Sequence, residues 1–214
     1  MHLQLHYFDF PFWRAETSRL ALHLGGIPFD DVRVDRAHFM ELKASGELPY
    51  GQLPVLDIDG VRLAQSGAIS RFCGKLSGLY PEDALEAAQV DELLDLASQM
   101  TESISPTVRE KDPEKRQAMR RELGATKLPT WLAALEKRVD SGDGSPYLVG
   151  DQLSVADLAI WRLLGWLTGG ILDGIPTHLL APCPTLQSHQ SMLNTHTEIA
   201  AWMAAHYPSW AKTP

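Results

Sequence analysis

The segment of residues 52–66, QLPVLDIDGVRLAQS, constrains the fold more than any other part of this chain. It combines a proline-fixed turn, two short apolar runs on either side of Asp59-Gly60, and Gln65-Ser66 before a helical pattern. An Asp-Gly pair between apolar runs indicates a tight β-hairpin, because both turn residues need positive φ. The segment therefore predicts a turn, a strand, a hairpin, a second strand and a helix capped by Ser66.

The rest of the first half predicts further strands and helices that complete a small mixed sheet. They are a strand at 3–8, a helix at 14–24, a strand at 29–34, a short helix or irregular turn at 37–44, and the Ser66 helix ending near 76. In this order the first strands form a parallel pair and the hairpin adds antiparallel strands. We expect an α/β sandwich, the thioredoxin-like layering, over residues 1–79.

The second half changes to helical patterns after a break at residues 80–83, which we interpret as a linker. Residues 84–214 are therefore expected to form an all-α domain. The pattern predicts helices at 84–110, at 113–139 with a kink or break at Pro129, from Ser154 to 167, near 184–193 and at 197–206. The Ser154-to-Asp157 spacing is a capping-box signature.

Composition excludes several classes of function. The net charge of −8 argues against nucleic-acid binding, which needs basic surfaces. The most apolar late run, 158–167, contains Arg162 and is too short to cross a bilayer, and the first residues lack a secretory signal. Cys73 and Cys183 lie far apart and the histidines are scattered, so we expect reduced thiols, no metal site and a cytoplasmic location.

Residues around the segment 52–66 offer a binding chemistry. A cis bond at Leu53-Pro54 would expose the Leu53 backbone, which an extended peptide could pair with in β fashion; the alternative is a rigid turn without a ligand. The helix start at Gln65-Ser66 suits a carboxylate, or is only a cap. Lys43 and Gln52 could hold a second carboxylate, although an exposed lysine is commonly only solvated.

A reactive hydroxyl is predicted at the end of the first strand. Tyr7 is either a core or rim tyrosine or a hydroxyl donor at the ligand-binding end of the sheet. Arg14, at the start of the next helix, either supports that hydroxyl electrostatically or makes a surface salt bridge.

These residues resemble a known family. The stretches LHYF (5–8), RAE (14–16), PYGQLPVLDIDG (49–60), LAQSGAI (63–69) and LSVADLAIW (153–161) are similar to those of cytosolic glutathione S-transferases. The chain is closest to the sigma-like group, which includes haematopoietic prostaglandin D synthase. The resemblance implies a thioredoxin-like domain, an all-helical domain, a homodimer and glutathione as co-substrate.

The resemblance also implies a role for each matching position. Tyr7 would be the catalytic hydroxyl and Arg14 its support. The glutathione-binding residues would be Phe39, Lys43, Gln52, Leu53, Pro54, Gln65 and Ser66. The chain departs from the family where Phe39 replaces a tryptophan, where the loop from Phe10 to Trp13 is one residue longer, and where Gln99 replaces an acid that reaches the partner subunit.

The expected reaction is conjugation of the glutathione thiolate to a hydrophobic electrophile, as in detoxification. The electrophile site would be lined by Phe10, Phe12, Trp13, Met100, Ile104 and the C-terminal Trp210, each of which could instead be a core residue. Two alternatives stay open: a glutathione-dependent isomerase of the prostaglandin-synthase type, and a non-catalytic ligand-binding or interaction protein. The acids Asp91 and Asp95 are interpreted as a solvated or interface face.

Overall fold

The structure, a computed structural model, describes residues 1–140 and 144–208, and these form a four-stranded sheet with helices followed by a helical half. The strands are β1 (Leu3–Phe8), β2 (Asp30–Val34), β3 (Val55–Ile58) and β4 (Val61–Ala64). The helices are α1 (Trp13–Leu24), α2 (Arg36–Ala44), α3 (Ser66–Ser77), α4 (Ala84–Arg109), α5 (Pro113–Ala125), α6 (Lys127–Val139), α7 (Val155–Thr168), α8 (Pro184–Thr195) and α9 (Thr197–His206).

The sheet has the mixed topology that the sequence predicts. Its strand order is β2-β1-β3-β4, with β1 and β2 parallel and the other neighbours antiparallel. Asp59 and Gly60 both have positive φ, 48° and 88°, so the predicted hairpin turn is confirmed. The α/β first half and the helical second half together confirm the expected fold class.

Helix α1 lies at the centre of the molecule. It packs against α3 and α7 and also touches β1 and α9. As a result α1 buries not only the apolar Ala15, Leu20 and Ala21 but also the charged Glu16 and Arg19. A helix that is covered on several sides has no solvent face on which to place its polar residues, so these must be paired inside.

Three local predictions require correction. Ser66 is the first residue of α3 rather than its cap; the N-cap residue is Gln65. The helical pattern at 113–139 is broken at Thr126, ahead of Pro129, because the proline ring would clash with the carbonyl four residues earlier. The apolar pattern of residues 84–110 predicts Leu85 on one side of α4 with Leu93, Ala97 and Met100; these last three are buried, but Leu85 is exposed.

Helix α7 forms the core of the helical half, and its predicted capping box is present. The Asp157 carboxylate accepts the backbone N–H of Ser154 at 2.8 Å. The same carboxylate accepts the Leu148 N–H at 2.8 Å and lies 3.0 Å from the His189 ring. Asp157 therefore ties the start of α7 to the preceding loop and to α8. Among the described residues, no helix is long and apolar enough to cross a membrane.

Candidate functional site

Strand register brings the candidate site together at one end of the sheet. His6 lies opposite Val55, and Val55 lies opposite Ala64. Because antiparallel partners change by one residue in opposite directions, the next positions outward are Tyr7, Pro54 and Gln65. Residues far apart in the chain thus meet where the strands end.

A small, shallow groove lies at this end of the sheet. Its lining residues come from α1, from the turn before β3 and from the passage from β4 to α3. They are Arg14, Tyr50, Gln52, Leu53, Pro54, Ala64, Gln65 and Ser66. The structure therefore brings six of the residues singled out from the sequence to one surface, together with Tyr50 and Ala64, which the sequence analysis did not identify.

The floor of the groove is the turn at Leu53-Pro54. The peptide bond between these residues is cis. Within the described residues, neither the N–H nor the C=O of Leu53 has a backbone hydrogen-bond partner, although its side chain is buried. An extended peptide could pair with these groups as an added strand.

The wall of the groove is the start of α3. Gln65 adopts φ 76° and ψ 122°, a conformation that is costly for a residue with a side chain, and it makes no side-chain cap of the helix. The Ser66 Oγ atom is buried without a hydrogen-bond partner in the described part of the chain. A helix N-terminus with uncapped N–H groups and a buried, unsatisfied hydroxyl is suited to a carboxylate.

Cationic side chains lie beside the groove. The Arg14 guanidinium pairs with Glu102 of α4 at 2.6 Å and lies 5.5 Å from the centre of the Trp13 ring. Lys43 is exposed on α2, with its Nζ 6.0 Å from the Phe39 ring, and its side chain approaches Gly51. Arg14 reaches the groove itself, whereas Lys43 and Phe39 lie outside its lining.

Tyr7 lies behind the groove rather than on its surface. Its side chain is buried, and no described residue hydrogen-bonds to its hydroxyl. Burial raises the pKa of Tyr7 well above its ordinary value, and the charges of Arg14 and Arg19 only partly offset this. The phenol therefore stays protonated at neutral pH and can act as a hydrogen-bond donor.

Aromatic rings connect the Tyr7 region to the helical half. We call this set the aromatic row; in order along it are Phe39, Phe8, Phe10, Phe12 and Trp166, with successive ring centres 5.3, 6.3, 5.9 and 4.9 Å apart. The Tyr7 ring lies 5.6 Å from Phe10, the most exposed member. An apolar ligand at this end of the sheet would contact Phe10 first.

The other residues expected at an electrophile site lie in the core. Trp13, Met100 and Ile104 have no exposed surface, and the Trp13 indole donates to Thr101 Oγ1 at 2.8 Å. The structure therefore does not bring these three residues to the groove, because they are buried in the hydrophobic core. Trp210 lies outside the described residues.

The acidic face of α4 is partly neutralised from α3. Arg71 pairs with Asp91 at 2.5 Å and with Asp95 at 3.3 Å, and the Tyr80 hydroxyl donates to Asp91 at 2.8 Å. These contacts join the sheet half to the helical half. Gln99, farther along α4, is exposed.

Sequence reasoning missed Glu102 and Trp166 as well as Tyr50. Glu102 could have been noticed as an acid near the predicted Arg14, but only the fold shows that α4 passes α1 at that point. Tyr50 is 66% exposed, an unusual position for a tyrosine that immediately precedes a predicted binding turn. Within residues 1–140 and 144–208, no group of three or more His, Cys, Asp or Glu side chains could hold a metal ion.

Family comparisons agree with the division into two structural halves. Residues 3–74 match the model described as the glutathione S-transferase N-terminal domain, and residues 98–206 match that of the C-terminal domain. A protein named glutathione S-transferase 1, from Ascaris suum, is 35% identical over 182 residues, covering 82% of this chain and 85% of the relative.

Solved structures of similar proteins match the fold of this chain over nearly its whole length. The glutathione S-transferase of Ascaris lumbricoides has a TM-score of 0.80 at 30% identity, over 96% of this chain and 98% of that one. A prostaglandin synthase D of Nilaparvata lugens has a TM-score of 0.81 at 26% identity, over 95% and 97%. A monomeric glutathione S-transferase of the hookworm Necator americanus has a TM-score of 0.75 at 29% identity, over 96% and 97%.

Proposed function

The chain belongs to the glutathione S-transferase family, and from this premise we propose that it conjugates the glutathione thiolate to a hydrophobic electrophile, with Tyr7 as the hydroxyl that stabilises the thiolate. The observation that carries the proposal is the buried Ser66 hydroxyl beside the Leu53 backbone, both without a hydrogen-bond partner among the residues that the structure describes. Both are polar groups that a bound peptide would satisfy.

The proposed binding mode places each part of the tripeptide against a matching group. The γ-glutamyl carboxylate lies at the α3 N-terminus, where it accepts from Ser66 and from backbone N–H groups. The cysteinyl unit pairs with the Leu53 backbone beside Pro54. Gln65 contacts the γ-glutamyl end through its amide, and Lys43 and Gln52 lie toward the glycyl carboxylate.

The chemical step needs a moderate change in thiol acidity. A free thiol has a pKa of about 8.5, so only a few per cent is thiolate near pH 7. Lowering that pKa by about two units requires about 2.7 kcal/mol. A hydrogen bond to a charged acceptor contributes about 1.5–3 kcal/mol, so one phenolic donor is nearly sufficient.

Tyr7 meets the requirement for such a donor. Its raised pKa keeps the proton on the phenol, and the nearby charges of Arg14 and Arg19 favour an anion at the acceptor position. The reacting nucleophile is the sulfur of glutathione, so no cysteine of the protein is needed. The electrophile would lie against Phe10 and Phe12 of the aromatic row.

Calorimetric titration with glutathione, followed by a panel of hydrophobic electrophiles, tests the proposal. We expect saturable binding and a covalent conjugate, and we expect Tyr7→Phe to slow conjugation without abolishing binding. A protein that binds glutathione but gives no conjugate with any electrophile would overturn the assignment as a transferase.

A second candidate is a glutathione-dependent isomerase. It is favoured by the similarity to the prostaglandin synthase D of Nilaparvata lugens. Product analysis separates the two reactions, because an isomerase returns glutathione unchanged whereas a transferase consumes it. Ligand binding without turnover would instead identify a carrier of the same fold.

Assembly and location follow the family pattern in this proposal. We expect a homodimer in the cytoplasm with a role in detoxification, while the monomeric hookworm relative shows that the fold does not require a partner. Sedimentation of the purified protein at several concentrations decides between the two states.

A further inference from the structure

A buried arginine of the helical half hydrogen-bonds to the loop that follows Tyr7. Arg162 of α7 donates to the carbonyl oxygen of Pro11 through Nη2 at 2.8 Å and through Nε at 3.2 Å. Pro11 is itself buried, and no other described group donates to its carbonyl. These bonds therefore satisfy an oxygen that would otherwise be orphaned in the interior.

The side chain that makes this contact is a buried cation. Arg162 is almost fully buried, and no carboxylate of the described residues lies within ion-pairing distance of it. Burial lowers its pKa, and the opposing influences are the nearby charge of Glu16 and the phenol of Tyr207. Its guanidinium also lies 4.9 Å from the centre of the Trp161 ring. Burying a cation without an ion-pair partner costs free energy. Packing alone therefore does not account for an arginine at this position.

The other end of the same loop is held by a second arginine. Arg19 donates through Nη2 to the carbonyl of Phe8 at 3.3 Å, and its guanidinium lies 5.9 Å from the Tyr7 ring. Between these anchors the backbone makes two tight turns, with Phe10 N–H to Phe8 O and Phe12 N–H to Phe10 O, both at 3.0 Å. Tyr7 lies just before this loop and Arg14 just after it.

We propose that Arg162 is a positioning residue for the reaction, which holds the loop of residues 8–12 so that Tyr7, Phe10 and Arg14 keep their relative places. This inference rests on the proposed function. Arg162 acts through its hydrogen bonds to the Pro11 carbonyl rather than through its own charge. The charges that influence the Tyr7 hydroxyl are those of Arg14 and Arg19. A small displacement of a reacting group is enough to lower a rate without weakening substrate binding.

The test compares three purified full-length variants with the wild type. Arg162→Met removes both donors and keeps a long apolar side chain, while Arg162→Lys keeps the charge and a donor. Arg120→Met is the matched control, because Arg120 is also a buried arginine and donates to Thr107, but it pairs with Asp173 in the helical half. The readouts are hydrogen exchange at the amides of residues 8–10 and 12 and the kinetics of conjugation.

For Arg162→Met we expect faster exchange in the loop, by about tenfold or more, since a local hydrogen-bonded unit has been loosened. We expect kcat to fall by about 10–100-fold while KM for glutathione changes by less than about twofold. Arg162→Lys should restore part of both values. Arg120→Met should change neither, whatever it costs in stability.

Two results overturn the inference. One is an Arg162→Met protein in which hydrogen exchange in the loop and kcat are both unchanged. The other is an Arg120→Met protein with the same faster exchange and lower kcat, which would mean that the whole protein has been destabilised. If Arg162→Met is insoluble, Arg162→Lys carries the same comparison. A wild type that binds glutathione without turnover contradicts the proposed function, and loop exchange then decides on its own whether Arg162 anchors the loop.

Discussion

Trp202 of α9 donates its indole N–H to the buried carboxylate of Glu16 on α1, over 2.6 Å. The other oxygen of that carboxylate accepts from the Tyr207 hydroxyl at 2.8 Å and from Arg19 at 3.1 Å. Arg19 continues the network to Asp31 of β2 at 2.8 Å. One carboxylate thus joins the last described helix to the first helix and, through Arg19, to the sheet.

Replacing Glu16 should therefore lower the free energy of unfolding more than replacing a surface acid does. Glu16→Gln leaves Arg19 buried with one charge partner fewer, and we expect a loss of about 3–5 kcal/mol in the free energy of unfolding. Urea unfolding followed by tryptophan fluorescence measures it. The control is Glu92→Gln, which breaks an exposed ion pair with Arg138 and should cost less than about 1 kcal/mol. Equal losses in the two variants would contradict this account.

Removing the Tyr7 hydroxyl should slow the chemistry and spare binding. Tyr7→Phe deletes one hydrogen bond to a charged sulfur, so we expect kcat to fall by about 10–100-fold. The dissociation constant of glutathione, measured by calorimetry, should change by less than about twofold, because the neutral thiol gains little from the phenol. Tyr147→Phe is the control, because Tyr147 does not line the groove. A Tyr7→Phe protein that keeps wild-type kcat refutes the assigned role.

Removing the Ser66 hydroxyl should have the opposite pattern. Ser66→Ala should weaken glutathione binding by about 10–100-fold, since one hydrogen bond to a carboxylate is lost. The free energy of unfolding should stay equal or rise, because the hydroxyl is buried and no residue of the described ranges hydrogen-bonds to it.

The control for that variant lies on the same helix. Ser70 is also buried in α3, but its Oγ lies 3.5 Å from Ser18 Oγ, away from the groove. Ser70→Ala should leave glutathione affinity unchanged. A stability loss in Ser66→Ala without a change in affinity would show that the hydroxyl serves the fold rather than a ligand.

Acid should destabilise the protein through His6. Burial lowers the pKa of His6 below its ordinary 6.5, although the Asp57 carboxylate partly opposes this. The unfolded chain therefore takes up a proton more readily than the folded one as pH falls through 6.5 toward the folded value, and stability is lost in that window. Urea midpoints at pH 7.5 and 5.5 should differ less in His6→Gln than in the wild type. Replacing the exposed His178 should leave the difference unchanged.

Most of the groove could be predicted from short-range patterns in the sequence. Asp59-Gly60 needs only its own backbone preferences to form the turn, and Pro54 acts on its immediate neighbours. Once the hairpin forms, strand register alone brings Gln65 and Pro54 beside Tyr7, near the end of β1. These parts were predictable because each depends on residues close together in the chain.

The interior of the site was not predictable in the same way. Trp13, Met100 and Ile104 are apolar whether they line a ligand site or the core, and only the tertiary packing decides that they belong to the core. Glu16 and Arg162 look like surface charges in a helical pattern. Their burial depends on contacts that span much of the chain, from α1 to Trp202 and from Pro11 to α7.

The backbone of Gln65 has a consequence for attempts to engineer this protein. A search for thermal stability would select glycine there, because glycine adopts φ 76° without strain. That substitution would also remove the amide at the proposed γ-glutamyl end. At this residue, robustness and ligand affinity would be selected in opposite directions, so a more heat-resistant variant obtained there should be a poorer binder of glutathione.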